Sequence, residues 1–420
     1  MDLCAIGRGA SGVAMEQVLV TGFPGFLAER LVARCQRERG KVFWHFVVLQ
    51  EEVAGASRKL QALGLPLSEC ALYPGDVTKP DLGLSTEDAD TLRQSVERCF
   101  HFAALDDLTA SPALSDAVNV WGARRVIAFL KQCPNLRKFN FVSTCYVSGL
   151  IEGDVREDEL VSPPGFRNEY ERTKYEAEAV VRESMGELPT TIFRPAAVVG
   201  DSQTGDTSKF DGPYTLILFF RWAHRLSYWM PNLGFGDAHF NCVPVDFVTE
   251  VLARVGFSEH YPGATLHVAD PVPPTTSEAF ALIYQQITGR TCIELKDATK
   301  RLVLRVLRYF PVDLVTGIPA QTLDYFEHRG NYATRNLENA CEEFDIAIPK
   351  WSEFYKPVIK FALTEDRHMP NAAVVREFKA WCMGFRLIYA ALGLLLIFAP
   401  RFVTGVVTLL DDQAVAADLM

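Results

Sequence analysis

Residues 17–28 read QVLVTGFPGFLA: a short apolar run delivers the chain to a glycine turn, and an amphipathic stretch begins at once. After the turn, Phe26, Leu27, Leu31 and Val32 recur at helical spacing. Gly40 is a stop signal, and KVFWHFVVLQ (41–50) follows, rich in β-branched and aromatic residues. The order is strand, helix, strand. A buried strand entering a tight turn and a helix start aims free helix amides at a pyrophosphate. Gly22 then permits the turn, Gly25 lets the backbone approach a phosphate, and Ala28 allows close helix–strand packing. The contacts expected from this segment are Thr21, Gly22, Phe23, Pro24, Gly25, Phe26 and Leu27.

A competing stretch, GRGASG (7–12), matches the spacing Gly-x-Gly-x-x-Gly letter for letter. Only MDLCAI precedes it, too short for a buried strand, and GVAMEQ after it has no helical face. Residues 1–14 are expected to form a flexible leader, with Met15 as an alternative functional start.

Further along, CALYPGDV (70–77) reads as a third strand ending in Asp76. ERCFHFAAL (97–105) reads as a fourth, with His101, Ala103 and Ala104 at its end. A helix around NVWGARRVIAFLKQC, a strand KFNFVSTCYVSG (138–149), a helix in NEYERTKYEAEAVVRES and a strand TTIFRPAAVVG (190–200) follow. Such alternation predicts an α/β fold: a Rossmann-type, doubly wound parallel sheet over 15–200, with a return segment near 241–256. Residues 201–240 and 257–370 are expected to form a smaller, mostly helical substrate region, and 371–420 an apolar tail.

Tyr170 is the only one of 13 tyrosines followed by lysine four residues on. Positions i and i+4 share a helix face, so Lys174 can stand beside Tyr170. A nearby ammonium favours phenolate and draws the tyrosine pKa from about 10 towards neutrality, which suits a proton donor to a developing alkoxide. Thr144 is the leading hydroxyl for holding a substrate carbonyl, with Ser143 as the alternative.

Together TGFPGFL, the His-x-Ala-Ala step, Asn119, FVSTCYVSG, Tyr170-Glu-Arg-Thr-Lys174 and FRPAAVVG resemble the extended short-chain dehydrogenase/reductases over residues 15–365. STCYVSG, GDSQTGDTSKFDGPY and the segment from HRGNYATRN to VIKF are similar to the branch of fatty acyl-CoA reductases and thioester reductase domains. The resemblance implies that Lys174 also contacts the nicotinamide ribose and that Asn119 holds a relay water. It further implies that Pro195 and Val198 border the nicotinamide, and Asp76 and Val77 the adenine.

The second strand ends VVLQEE, with Gln50 where this branch has arginine. Arg58 and Lys59 offer positive charge for a 2′-phosphate; Glu51 offers a carboxylate for a free ribose. The branch resemblance favours NADP(H), with NAD(H) left open.

The loop 200–214 is polar and glycine-punctuated, and TLILFFRWAHRLSYWMP (215–231) is strongly apolar: either a lining for a lipophilic chain or a packed helix. VPVDFV (243–248) resembles the return to the main domain. KRLVLRVLRYFP (300–311) reads either as a basic face for a membrane surface or acidic carrier, or as a core-facing helix. The tail, apolar over 387–399 and again over 402–410, reads as a membrane anchor within 385–410 or a docked helix. A net charge of −10 disfavours nucleic acid, and ten scattered cysteines without C-x-x-C read as reduced thiols of a cytoplasmic catalytic domain, with no metal site.

The expected activity is NAD(P)H-dependent reduction of a lipophilic carbonyl or acyl thioester on coenzyme A or a carrier protein. Alternatives are a 3β-hydroxysteroid dehydrogenase-like enzyme, a nucleotide-sugar epimerase or dehydratase-like enzyme, and a non-catalytic dinucleotide-binding scaffold. A homodimer is compatible with any of them.

Overall fold

The computed structural model describes residues 15–38, 42–107, 110–210, 212–223, 230–308, 324–325 and 327–364. GRGASG, Gly40 and the tail at 385–410 lie outside the described residues. Among the described residues no helix is long and apolar enough to cross a membrane.

The first half alternates strand and helix: β1 (Glu16–Thr21), α1 (Phe26–Glu38), β2 (Val42–Val48), α2 (Val53–Ala62), β3 (Cys70–Pro74), α3 (Thr86–Ser95) and β4 (Arg98–His101). Next come α4 (Pro112–Ser115), a π-helical segment Asp116–Trp121, α5 (Gly122–Leu130), β5 (Lys138–Val142), the short β6 (Gly153–Val155), α6 (Glu169–Ser184) and β7 (Thr190–Pro195). The second half holds β8 (Ala197–Val199), α7 (Pro213–Ala223), β9 (Cys242–Pro244), α8 (Val245–Gly256), β10 (Thr265–Val268), α9 (Thr276–Thr288) and α10 (Asp297–Arg308). It ends with β11 (Gly330–Tyr332), α11 (Arg335–Glu343) and α12 (Trp351–Thr364).

Seven of these strands form one parallel sheet in the order β3-β2-β1-β4-β5-β7-β10. Alternate residues of a strand face opposite sides, and β1 shows the consequence. Val18 and Val20 join the core shared with Leu31 and Val32 of α1, Val251 and Leu252 of α8, and Leu337 and Ala340 of α11. Leu19 faces the other core, with Leu92, Val126, Ile127, Ala177 and Val181. Both faces are covered, which is why β2 is buried along its whole length.

Four strands differ from the sequence expectation. The third ends at Pro74, because the chain turns at Asp76, whose amide donates to Leu82 O at 2.6 Å. The fourth stops at His101, leaving Ala103 and Ala104 in the following loop. The fifth stops at Val142: Thr144 caps a 3₁₀ turn, Cys145–Ser148, by accepting from Tyr146 N. The run 190–200 breaks at Ala196, and β8 leaves the main sheet to pair with β9. β10 and α11, within the stretch assigned to the substrate region, pack as sheet strand and covering helix.

Candidate functional site

The strand order reverses between β1 and β4, and ligands of open α/β sheets bind beyond the strand ends at such a point. Gly22 occupies it with φ +84°; a Cβ there would stand 2.4 Å from Ala103 N. Gly25 donates to Gly22 O at 2.9 Å, and its own Cβ would fall 2.6 Å from that oxygen. Only glycines close this turn. α1 then starts at Phe26, and the amides of a first helical turn have no intrahelical acceptor. This fits a pyrophosphate, with Thr21 to Leu27 on one side and Ala103 and Ala104 on the other. Beneath it, Thr21 Oγ1 lies 2.6 Å from His101 Nδ1, both buried. Burial, reinforced by Lys174, depresses the His101 pKa to about 3, so the ring is neutral.

Asp76 and Val77 follow the end of β3. Asp76 Oδ1 accepts from Thr78 N (2.8 Å) and Thr78 Oγ1 (2.7 Å), and Lys79 stands 3.6 Å away. Burial pushes this carboxyl up, but the Thr78 bonds and Lys79 outweigh it and hold the pKa below its ordinary value. Val77 packs into the core beside Gly122. Past β2, Gln50 and Glu51 stand exposed in a short 3₁₀ turn, Gln50–Glu52. Arg58 is exposed and makes no ion pair among the described residues, whereas Lys59 is engaged with Glu29 at 2.9 Å.

α6 begins where Asn168 Oδ1 accepts from Glu171 N at 3.0 Å. Tyr170, half-buried, lies in its first turn. Lys174, one turn on, is buried, donates from Nζ to Val142 O at 2.8 Å and sits 4.8 Å from the centre of the Phe141 ring. Burial lowers its pKa to about 8 against the opposing pull of Glu178 and Asp106. Thr144 follows Val142 by two residues and donates to Pro195 O at 3.4 Å. Val198 is half-buried in β8. The structure thus brings Lys174, Thr144 and Pro195 to the carboxyl edge of the sheet, at the ends of the interior strands β5 and β7.

Ser143 turns the other way, donating to Glu178 Oε2 at 2.7 Å. Asn119 uses its amide locally: Oδ1 accepts from Leu105 N (2.7 Å), and Nδ2 donates to Leu105 O (3.0 Å) and Thr173 Oγ1 (2.8 Å). It ties the loop after β4 to α6. Lys300, read as part of a basic face, points inward and donates to Gly234 O at 2.6 Å.

Sequence reasoning missed the charge pair under this edge. Glu178 accepts from Arg194 Nη2 (2.5 Å) and Arg182 Nε (2.9 Å), and Arg194 Nη1 also meets His267 Nε2 at 2.9 Å. The signal was there: Tyr170, Lys174 and Glu178 form one row at i, i+4 and i+8, and Arg194 interrupts an apolar strand.

The profile of the male sterility protein family, an NAD-binding family, matches residues 20–252. The chain belongs to that family. Its fold is that of the extended short-chain dehydrogenase/reductases. Similar proteins include a linear gramicidin synthase of Brevibacillus parabrevis, 26% identical over 61% of this chain and 5% of that one. The fatty acyl-CoA reductase wat of Drosophila melanogaster is 28% identical over 35% of this chain and 33% of its own. The chain therefore spans a third or less of these relatives. Among solved structures, the terminal R domain of the myxalamid PKS-NRPS pathway superposes with a TM-score of 0.68 at 21% identity, covering 86% of this chain and 97% of that one. The reductase domain of a Mycobacterium tuberculosis nonribosomal peptide synthetase gives 0.62 at 21% identity, covering 86% and 94%. At that identity the likeness is one of fold.

Proposed function

We propose that the chain is an NADP(H)-preferring reductase of a lipophilic carbonyl or acyl thioester, yielding an aldehyde or alcohol. Thr144 and Tyr170 hold the substrate oxygen, and Lys174 sets the charge. The observation that carries this is the bond from Lys174 to Val142 O: it fastens the helix of Tyr170 to the strand end that continues into Thr144. A nicotinamide dinucleotide, when bound, supplies the hydride. The turn Thr21–Leu27 holds its pyrophosphate, Asp76 and Val77 border the adenine, and Pro195 and Val198 border the nicotinamide.

The chain's own groups handle the oxygen and its proton. The Tyr170 hydroxyl, and Thr144 Oγ1 once it exchanges its long bond to Pro195 O for the substrate, stabilise negative charge that develops on the carbonyl oxygen. Tyr170 gives up its proton to that oxygen, and the Lys174 ammonium favours the phenolate left behind. Asn119 supports the relay by holding α6 to the loop after β4. Relatives that include a fatty acyl-CoA reductase support coenzyme A or carrier-borne thioesters as the substrate class. Arg58, exposed and unpaired with any acid among the described residues, supports NADP(H).

The test is oxidation of NADPH and NADH by the full chain with palmitoyl-CoA, decanal, a sterol ketone and a nucleotide sugar. Turnover of the first two, lost in Tyr170→Phe, is expected; turnover confined to the sterol ketone or nucleotide sugar overturns the substrate class.

A further inference from the structure

A buried hydrogen-bond chain runs beside this centre. Arg167, three residues before Tyr170, donates from Nη1 to Gly149 O at 2.7 Å and from Nη2 to His328 Nδ1 at 2.9 Å. A guanidinium has donors only, so Nδ1 carries the lone pair and the ring proton sits on Nε2. Nε2 then donates to the Tyr332 hydroxyl at 2.7 Å, and Tyr332 in turn donates to Ser148 Oγ at 3.3 Å. His328, Tyr332 and Ser148 are all buried. Gly330 makes room for the ring: a Cβ there would stand 2.9 Å from His328 Nε2.

The Ser148 end of the chain lies in the turn, and the Arg167 end lies at the helix entry and also reaches the turn at Gly149 O. Ser148 lies in the 3₁₀ turn that Thr144 caps, and Gly149 closes that turn. Within the same turn, the Tyr146 ring packs 5.7 Å from His328 and 5.1 Å from Tyr325. Arg167 leads into α6: its amide donates to Glu171 Oε2 at 2.9 Å, next to Tyr170. Asn168, the cap of α6, also donates to the Tyr325 hydroxyl at 3.0 Å. The two halves touch directly where Arg167 donates to Gly149 O, and they are joined a second time through one imidazole, supplied by a segment far downstream in sequence.

We propose that His328 is a positioning residue: accepting from Arg167 and donating to Tyr332, it fixes the turn carrying Thr144 against the helix entry carrying Tyr170. This rests on the roles given to Thr144 and Tyr170 under Proposed function. The side chain must do two opposite things at once. Leucine does neither; glutamine, with one acceptor and one donor on its amide, does both.

The test uses the full chain and amide hydrogen–deuterium exchange in His328→Leu, His328→Gln and Tyr170→Phe. His328→Leu is expected to raise exchange in peptides spanning 145–150 and 167–171 together, by about tenfold, while His328→Gln stays near wild type. With NADPH and decanal, kcat should fall about 10- to 100-fold in His328→Leu while KM for NADPH moves less than about twofold, and His328→Gln should recover most of it. Unchanged exchange in either peptide of His328→Leu, or a glutamine variant as damaged as the leucine one, overturns the inference. Wild-type turnover by Tyr170→Phe would instead sink the roles under Proposed function and leave the exchange result standing. An inactive Tyr170→Phe beside a fully active His328→Leu would sink the positioning role alone. Should His328→Leu fail to fold, Gly330→Ala, which displaces the ring without removing it, must show the same paired rise.

Discussion

Lys174 Nζ donates to the carbonyl oxygen of Val142 at 2.8 Å, so α6 is fastened to the end of β5 by its own buried cation. Burial draws that ammonium down from an ordinary value of 10.5 to about 8, while the carboxylates of Glu178 and Asp106 pull the other way. Lysine is charged below its pKa. From about 8 to 10.5 the unfolded chain keeps a proton that the folded one has released, so this group's contribution to stability rises with pH across that window.

Activity should run in the opposite sense. As pH rises through about 8 the ammonium proposed to support Tyr170 is lost, and log kcat/KM should bend downward; under that proposal the limb belongs to the Tyr170–Lys174 pair rather than to either alone. Asp106→Asn removes one upward pull and should move the limb to lower pH. Asp106 is exposed and pairs with Lys209, so stability should change by less than about 1 kcal/mol. A limb that stays in place or moves up in Asp106→Asn would contradict the assigned electrostatics.

Arg194 and Glu178 are a fully buried ion pair, with Nη2 and Oε1 2.5 Å apart. Removing Arg194 strips the buried Glu178 carboxylate of its main counter-ion, and breaking such a buried pair costs about 3–5 kcal/mol. Arg194→Met should therefore lower the urea midpoint sharply. Ser143 and Arg182, which also donate to Glu178, cannot replace a bidentate guanidinium. A loss under about 1 kcal/mol would show the pair to be dispensable.

The sheet was legible because it rests on local patterns. Apolar runs, glycine turns and helix faces lie within a few residues of each other, as at Val18–Val20 with Leu31 and Val32. The placement of Tyr170 and Lys174 one turn apart on one helix was legible for the same reason. The meetings of Arg194 with Glu178 and of Arg167 with His328 were not, since each joins residues of different elements that only the folded chain brings together. Strand ends were misjudged where a side chain captured the backbone: Thr144 takes the amide of Tyr146 and stops β5 early. Apolar composition at 145–147 gave no sign of that turn.

Gly22 and Gly64 both have positive φ, +84° and +71°, but different surroundings. A Cβ on Gly64 meets nothing within 4 Å, so Gly64→Ala should cost about 1–2 kcal/mol of backbone strain and leave cofactor binding intact. A Cβ on Gly22 strikes the Ala103 backbone at 2.4 Å, at the point where two loop ends meet, so Gly22→Ala must separate them. NADPH fluorescence titration should show binding lost in Gly22→Ala alone. Equal affinities in the two variants would remove the turn from the cofactor site.

The proposed cofactor preference rests on Glu51, in the turn after β2, and on Arg58, in α2. Lys59 is held by Glu29 at 2.9 Å, which leaves Arg58 as the cation open to a 2′-phosphate and Glu51 as the carboxylate open to a ribose hydroxyl. Arg58→Ala should raise KM for NADPH about tenfold and leave KM for NADH almost unchanged, because only NADPH carries the phosphate the guanidinium would meet. Glu51→Gln tests the opposite assignment: loss of a ribose-binding carboxylate would weaken NADH selectively, whereas loss of a like charge beside the phosphate would tighten NADPH. Steady-state kinetics with both cofactors on both variants separates the cases. A wild-type enzyme that uses NADH far better than NADPH, with Glu51→Gln reversing the order, would transfer the cofactor assignment from Arg58 to Glu51.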